Sequence, residues 1–474
     1  MNTILLITVL IAGFYMAWNI GANDVSNAMG TSVGSGALTL TKAVIIAGVL
    51  EFCGAFFLGG NVSKTIQGGL VDTSLFAHCP HILLYGMLSA LISTALWLQL
   101  SSYFGWPVST THAIVGSLLG FGLFHGGTEA VFWGEVGMIA SSWVISPVLS
   151  GLISFFIFTL LQKKVLYTLN PIQATKKVIP YLCALLFFVF TLTFLLAGVG
   201  RFSLHISEGY VFLIAGSVAI VTYFLARIGF KWTKMPASSS AHFSAKDAQR
   251  LHSFNKTQKH LQRIFLTSKH EEKEQIHTIL KQITGWKKEL EEKVNHFQTH
   301  SDYQIVEKRF VILQIFSASY IAFAHGANDV ANAIGPVAAS LNIIKTGTVQ
   351  IAPHISSSLL ALGGAGIVIG LATWGWRVME TIGKKITVLT PTRGFSAEFG
   401  AAITILIASK LGLPISTTHC IVGSVLGVGL ARGLSSLNLK TLKDIFLSWI
   451  ITIPASAILC VIIFYLIRAL FSSM

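Results

Sequence analysis

Charged residues are scarce in this chain. Asp, Glu, Lys and Arg make up 11% of its 474 residues, where a soluble domain carries about 25%. Acids are the scarcest. Of 19 Asp and Glu, nine fall between positions 231 and 308, leaving ten for everything else. This excludes an ordinary soluble enzyme or binding domain. Cysteine is also thin: Cys53, Cys79, Cys183, Cys420 and Cys460 are scattered, with no CxxC pair. That spacing excludes a disulfide framework and offers no metal site. No basic stretch precedes the first apolar run and no clear small-residue cleavage site follows it, so the N-terminus reads as a retained span rather than a signal peptide. No His-Glu-x-x-His occurs and no nucleophile elbow is expected. Ser, His and Asp are present, but the pattern does not favour a membrane enzyme.

Apolar sequence is what the chain has in quantity. Hydrophobic residues reach 53% and the mean hydropathy is +0.70. Apolar runs lie at roughly 2–20, 42–60, 82–104, 111–125, 131–162, 179–200 and 208–230. After a polar loop come runs at 309–325, 354–376, 394–412, 418–431 and 442–470. A bilayer-crossing helix needs about 20 such residues. The fold class is therefore an all-α polytopic membrane protein, with the lipid bilayer as its solvent. The net charge of +14 does not point to nucleic acid, because the basic residues gather at span ends and in one loop, as topology signals do.

The chain repeats itself. Gly21-Ala22-Asn23-Asp24-Val25-Ser26-Asn27-Ala28 returns as Gly326-Ala327-Asn328-Asp329-Val330-Ala331-Asn332-Ala333. Pro107-Val108-Ser109-Thr110-Thr111-His112 returns as Pro414-Ile415-Ser416-Thr417-Thr418-His419. Runs 111–125 and 418–431 are short for crossings, and each follows a Pro-x-Ser-Thr-Thr-His motif. They read as the return arms of re-entrant helical hairpins with the motif at the tip. Irregular backbone survives at membrane depth only inside protein or beside water. Five crossings then separate the repeats, which makes them inverted. The organisation is 1–165 as first repeat, 166–230 as two connecting helices, 231–308 as a loop domain and 309–474 as second repeat.

Loop charges agree with this count. Lys163, Lys164, Lys176, Lys177, the 231–308 loop, Lys384, Lys385, Arg393, Arg432, Lys440 and Lys443 fall on one side. Lys64, Arg201, Lys345 and Arg468 fall on the other. The positive-inside rule makes the loop cytoplasmic and both termini external. Within the loop, Leu251, Phe254, Leu261 and Phe265, then Ile276, Leu280 and Ile283, recur at helical spacing and predict two amphipathic helices.

Carboxylates inside apolar sequence are costly and mark functional sites. Here they are Asp24, Glu51, Asp329 and Glu398. Small residues, amides and a carboxylate at one point of an apolar helix predict a local unwinding. Freed carbonyls and Asp oxygens then suit Na⁺, and the carboxylate can equally carry a proton. Pro-x-Ser-Thr-Thr-His places three hydroxyls and unpaired N–H groups at a helix start, which is an anion site. Ser and Thr can also act simply as caps. His112 and His419 either reach the ligand or fix the tip by a hydrogen bond. His325 is a further candidate, although its counterpart is Ile20.

These paired motifs resemble the inorganic phosphate transporter (PiT) family, over about 1–165 and 309–474. The resemblance implies a symporter that imports inorganic phosphate with Na⁺ or H⁺ by alternating access, with no enzymatic activity and no resident cofactor. It implies phosphate contacts from Ser109, Thr110, Thr111, Ser416, Thr417 and Thr418. Cation binding or coupling falls to Asn23, Asp24, Asn27, Asn328, Asp329, Asn332, Glu51 and Glu398, with Na⁺ at Asp24 and Asp329 if sodium is the coupling ion. Proton carriage or tip fixing is left to His112, His419 and His325. A homodimer is also implied. Some members carry a glutamate early in the first hairpin, where Gly86–Leu91 has none. Sulfate, a metal–phosphate complex or a passive anion channel are the competing readings.

Overall fold

A computed structural model describes residues 2–168, 170–198, 207–232, 245–268, 270–298, 302–350, 355–380, 383, 386–433 and 436–472. Arg201, Lys384, Lys385 and parts of the 231–308 loop lie outside these residues. Among the described residues the chain is helical, apart from a single antiparallel bridge between Val71 and Val131.

The first half contains α1 (Asn2–Gly34), α2 (Leu40–Leu58), α3 (Gly60–Gly68), α4 (Pro80–Tyr103), α5 (Thr110–Gly126) and α6 (Trp133–Leu161). Then come α7 (Pro171–Gly198) and α8 (Glu208–Trp232), followed by the loop helices α9 (Ala245–Thr267) and α10 (His270–Gln298). The second half repeats the order of the first: α11 (Asp302–Thr346), α12 (Ser357–Thr373), α13 (Trp376–Glu380), α14 (Pro391–Lys410), α15 (Thr417–Arg432) and α16 (Leu439–Ser472). Eight of these helices are long and apolar enough to cross a membrane: α1, α2, α4, α6, α7, α8, α11 and α16. At 17 residues, α12 is a shorter apolar helix.

The two halves are interleaved. α1 packs on α12 while α11 packs on α2, and α5 packs on α16 while α15 packs on α6. Lipid tails are as apolar as leucine, so close helix contact in a membrane depends on small residues. Gly326 shows how tight the contact is. A Cβ built there would come within 2.1 Å of the Glu51 carbonyl oxygen. Glycine at this point of α11 therefore lets α2 approach and brings Glu51 to the motif.

Both hairpins turn by the same local chemistry. After α4, Gly105 adopts φ +68°, and after α14, Gly412 adopts φ +70°. The left-handed glycine lets Trp106 N–H reach back to Ser101 O and Leu413 N–H to Ala408 O, closing each helix end. Proline follows and cannot continue the helix. Ser109 and Ser416 then cap the return helices by accepting from the backbone N–H of His112 and His419.

One expectation fails. α1 and α11 run as helix straight through both Gly-Ala-Asn-Asp motifs. Asn and Asp weaken helices by bonding their own backbone. Here most of their side-chain bonds are made outside the helix, so the backbone ladder stays intact. The breaks lie at the hairpin tips instead. The two predicted loop helices are present as α9 and α10.

Gly326→Ala should lower the melting temperature of the detergent-solubilised protein, since forced overpacking costs about 1–3 kcal/mol. Gly134→Ala, which meets nothing within 4 Å, should leave it unchanged or raised. Equal melting of the two variants would contradict the close α2–α11 contact.

Candidate functional site

The four motifs meet at one buried point. Asn23, Asp24 and Asn27 lie on one stretch of α1, and Asn328, Asp329 and Asn332 on the matching stretch of α11, none more than 1% exposed. The hairpin tips close on them. Thr418 donates to Asp24 Oδ1 at 3.2 Å, and Thr417 donates to Asp329 Oδ2 at 2.8 Å. Asn27 donates to Asp24 Oδ1 at 2.9 Å and to the Thr418 hydroxyl at 2.9 Å. Asn332 reaches the hydroxyls of Thr110 and Thr111 at 3.4 Å. The tips also hold each other: Thr111 donates to Ile415 O at 2.9 Å, and the single Thr418 hydroxyl hydrogen is shared between Asp24 Oδ1 and Val108 O, the latter at 3.1 Å.

The amide nitrogens of Asn23 and Asn328 face the turns. Asn23 donates to Ser102 Oγ at 2.9 Å and Trp106 O at 3.2 Å. Asn328 donates to Ser409 Oγ at 3.1 Å and Leu413 O at 3.4 Å. Each thus ties its helix to the end of the neighbouring hairpin arm. Ser102 and Ser409 escaped the sequence reading because they lie outside the repeated strings, although both sit just before the turn glycine.

The carboxylates divide into two clusters. His325 Nε2 lies 2.9 Å from Asp329 Oδ2, and its Nδ1 lies 3.2 Å from Glu51 Oε1, with all three side chains fully buried. Glu51 therefore joins the central site through a histidine that looked secondary in sequence. Its i,i+4 spacing to Asp329 was the available signal. Glu398 stands in a different cage. It accepts from Thr31 at 2.7 Å, Ser32 at 2.6 Å, Gln314 at 3.0 Å and Ser317 at 2.5 Å. Sequence reading found Glu398 but not these four donors, which come from α1 and α11. Gly30–Gly34 spells G-x-S-x-G, yet Ser32 sits within continuous helix and not on a strand-to-helix turn. It forms no nucleophile elbow.

His112 and His419 turn away from the motif. His112 Nδ1 meets Trp449 O at 3.4 Å, and His419 Nδ1 meets Trp143 O at 3.0 Å. They fix the tips to α16 and α6. Ser109 and Ser416 are engaged as caps. The hydroxyls that face the centre are those of Thr110, Thr111, Thr417 and Thr418.

The centre is rich in acceptors. Asp24 Oδ2, Asp329 Oδ1, and the Oδ1 atoms of Asn23, Asn27, Asn328 and Asn332 are all buried with no hydrogen-bond donor. A buried polar oxygen without a partner costs about 1–3 kcal/mol. Ligand atoms of Asp24, His325 and Asp329 lie within 4.8 Å of one another. Oxygens of this type suit a hard cation, which would satisfy several at once.

Interleaved apolar helices around a buried, oxygen-lined point define a multi-pass membrane transporter. Comparison with known proteins narrows the class. The profile described as "Phosphate transporter family" matches residues 20–460. The chain is 43% identical to "Inorganic phosphate transporter 2-1, chloroplastic" of Arabidopsis thaliana over 456 residues, covering 96% of this chain and 70% of that one. A solved structure titled "The sodium-dependent phosphate transporter" superposes with a TM-score of 0.78 at 37% identity, covering 98% of this chain and 99% of the other. The chain belongs to the phosphate transporter family. It is a transporter and not an enzyme.

Asp24→Asn and Asp329→Asn should each reduce phosphate uptake by about tenfold or more, equal to at least ~1.4 kcal/mol, with the folded protein still recovered. Wild-type uptake in both variants would show that the two aspartates are not part of the working site.

Proposed function

We propose that this protein is a secondary symporter that imports inorganic phosphate together with a cation, by alternating access at the site between α1, α11 and the two hairpin tips. The observation that carries this reading is the set of six donorless oxygens beside two helix N-termini. A phosphate dianion near Asp24 and Asp329 would be repelled. A cation held among those oxygens removes the repulsion. Phosphate then gains the threonine hydroxyls and the N-terminal N–H groups of α5 and α15. Each ligand improves the site for the other, which is the thermodynamic basis of symport.

Na⁺ is the favoured coupling ion. The oxygen set suits it, and the structural neighbour is named for sodium dependence. Proton coupling is the second reading, favoured by one observation: His325 bridges Glu51 and Asp329. The same proposal includes inverted halves, re-entrant hairpins, a cytoplasmic 231–308 loop, external termini and residence in the cell membrane. It also carries the homodimer, which the mass of the solubilised protein would test.

Proteoliposomes given a Na⁺ gradient at fixed pH should accumulate phosphate. Accumulation driven only by a pH gradient would move coupling to His325 and the carboxylates. Accumulation under neither gradient would overturn the symporter. In the same assay, Thr417→Val should weaken phosphate affinity by about tenfold, as expected for a lost hydrogen bond to a charged ligand. Cation affinity should fall less. Equal loss of both would count against direct anion contact.

A further inference from the structure

The loop helices divide their charge unevenly. From 248 to 270, a stretch covering most of α9, there are five Lys and Arg and no Asp or Glu. Over α10 there are six Glu and five Lys, close to balance. The basic residues of α9 are also sorted by face. Leu251, Phe254, Leu261 and Phe265 are half-buried on one side of the helix. That side meets α10: Phe254 lies against Trp286, and Phe265 against His277. Lys256, Lys259, His260 and Arg263 are all exposed. Their i, i+3, i+4, i+7 spacing aligns them in one stripe. At 3.6 residues per turn, the stripe stands opposite the side that meets α10. Ile264 (49% exposed) and Leu266 (77% exposed) flank it on either side.

A helix face that meets only water commonly interleaves both signs of charge. A stripe of one sign flanked by exposed apolar side chains instead fits a surface that is negative and apolar just beneath. The rest of this molecule does not offer one. By the loop count, the exposed Lys163, Lys164, Lys176, Lys177, Lys440 and Lys443 share the side of the loop, and they repel the stripe. The bilayer, however, is always within reach. α8 is long and apolar enough to cross it, and the twelve residues between Trp232 and Ala245 extend to about 40 Å at most. Beyond α10 the chain returns to the membrane through α11.

We propose that the stripe on α9 docks on a bilayer surface that contains anionic phospholipid. The helix lies along the headgroups, with Lys256, Lys259 and Arg263 against lipid phosphates and Ile264 and Leu266 entering the boundary beneath them. Nucleic acid would match the charge but gives the two apolar side chains nothing to bury against. Attachment through α8 and α11 makes the docking intramolecular, so a few charges suffice. The contact is electrostatic and is screened by salt.

The test is amide hydrogen exchange of the full-length protein in lipid nanodiscs. One set contains phosphatidylcholine alone, and the other an equal mixture with phosphatidylglycerol. Residues 256–266 should exchange about tenfold or more slowly in the mixed discs, equal to at least ~1.4 kcal/mol, while α4 exchanges equally in both. Raising salt from about 0.1 M to 1 M, which shortens the screening length from ~10 Å to ~3 Å, should remove the difference. Replacing all three basic residues (Lys256→Gln, Lys259→Gln and Arg263→Gln) should also remove it, with exchange in α10 unchanged as the sign of an intact hairpin. Equal exchange of the wild-type segment in the two discs would overturn the proposal, and that result needs no variant. Slowing that persists at high salt would also overturn it. So would stronger slowing in neutral discs by a short RNA duplex than by phosphatidylglycerol.

Discussion

Acceptor oxygens outnumber donors at the heart of this protein, and the rest of the structure follows from that imbalance. In lipid, a polar atom has no water to fall back on. Two aspartates and four asparagines share one buried point, yet the threonines of the tips and the asparagine amides supply too few hydrogens. The α15 tip is held against both aspartates by Thr417 and Thr418, and the α5 tip is held to Asn332 through Thr110 and Thr111 and to the other tip through Thr111. A cation bound at the aspartates, as proposed, would alter what those threonines can bond. Such an event at the aspartates would be felt directly by the α15 tip, and through the contact between the tips by α5.

The interleaving of the halves gives that link mechanical reach. The return arm of each hairpin packs on the long final helix of the opposite half, α5 on α16 and α15 on α6. His112 and His419 pin each tip to the same helix. A tip cannot withdraw from the aspartates without disturbing its contact with α16 or α6. Glycine sets how closely the elements sit. At Gly423, a Cβ would fall 2.3 Å from the Pro147 carbonyl oxygen, so α15 and α6 touch backbone to backbone.

Much of this was legible in the sequence, because duplication made the signal self-checking. Two copies of each motif identified Asp24, Asp329 and the threonines, and the short apolar runs gave α5 and α15 to within one or two residues. The helix through Gly-Ala-Asn-Asp was not legible. Propensity argues for a break there, and only the partners supplied by distant tips remove the reason for one. Ser102, Ser409 and the cage around Glu398 were also hidden, since hydroxyl residues are common and their meaning comes from what faces them. His325 was undervalued because its mate in the repeat is Ile20. Its role rests on Glu51, which α2 brings close only through the contact at Gly326.

The most direct test of the central claim is equilibrium binding of radiolabelled phosphate to the purified protein at zero and saturating Na⁺. A cation held among the donorless oxygens should tighten phosphate binding by about 5–150-fold, the usual range for coupled sites. Phosphate should tighten Na⁺ binding by the same factor, as linkage requires. Phosphate affinity independent of Na⁺ at fixed pH would contradict a sodium site at Asp24 and Asp329.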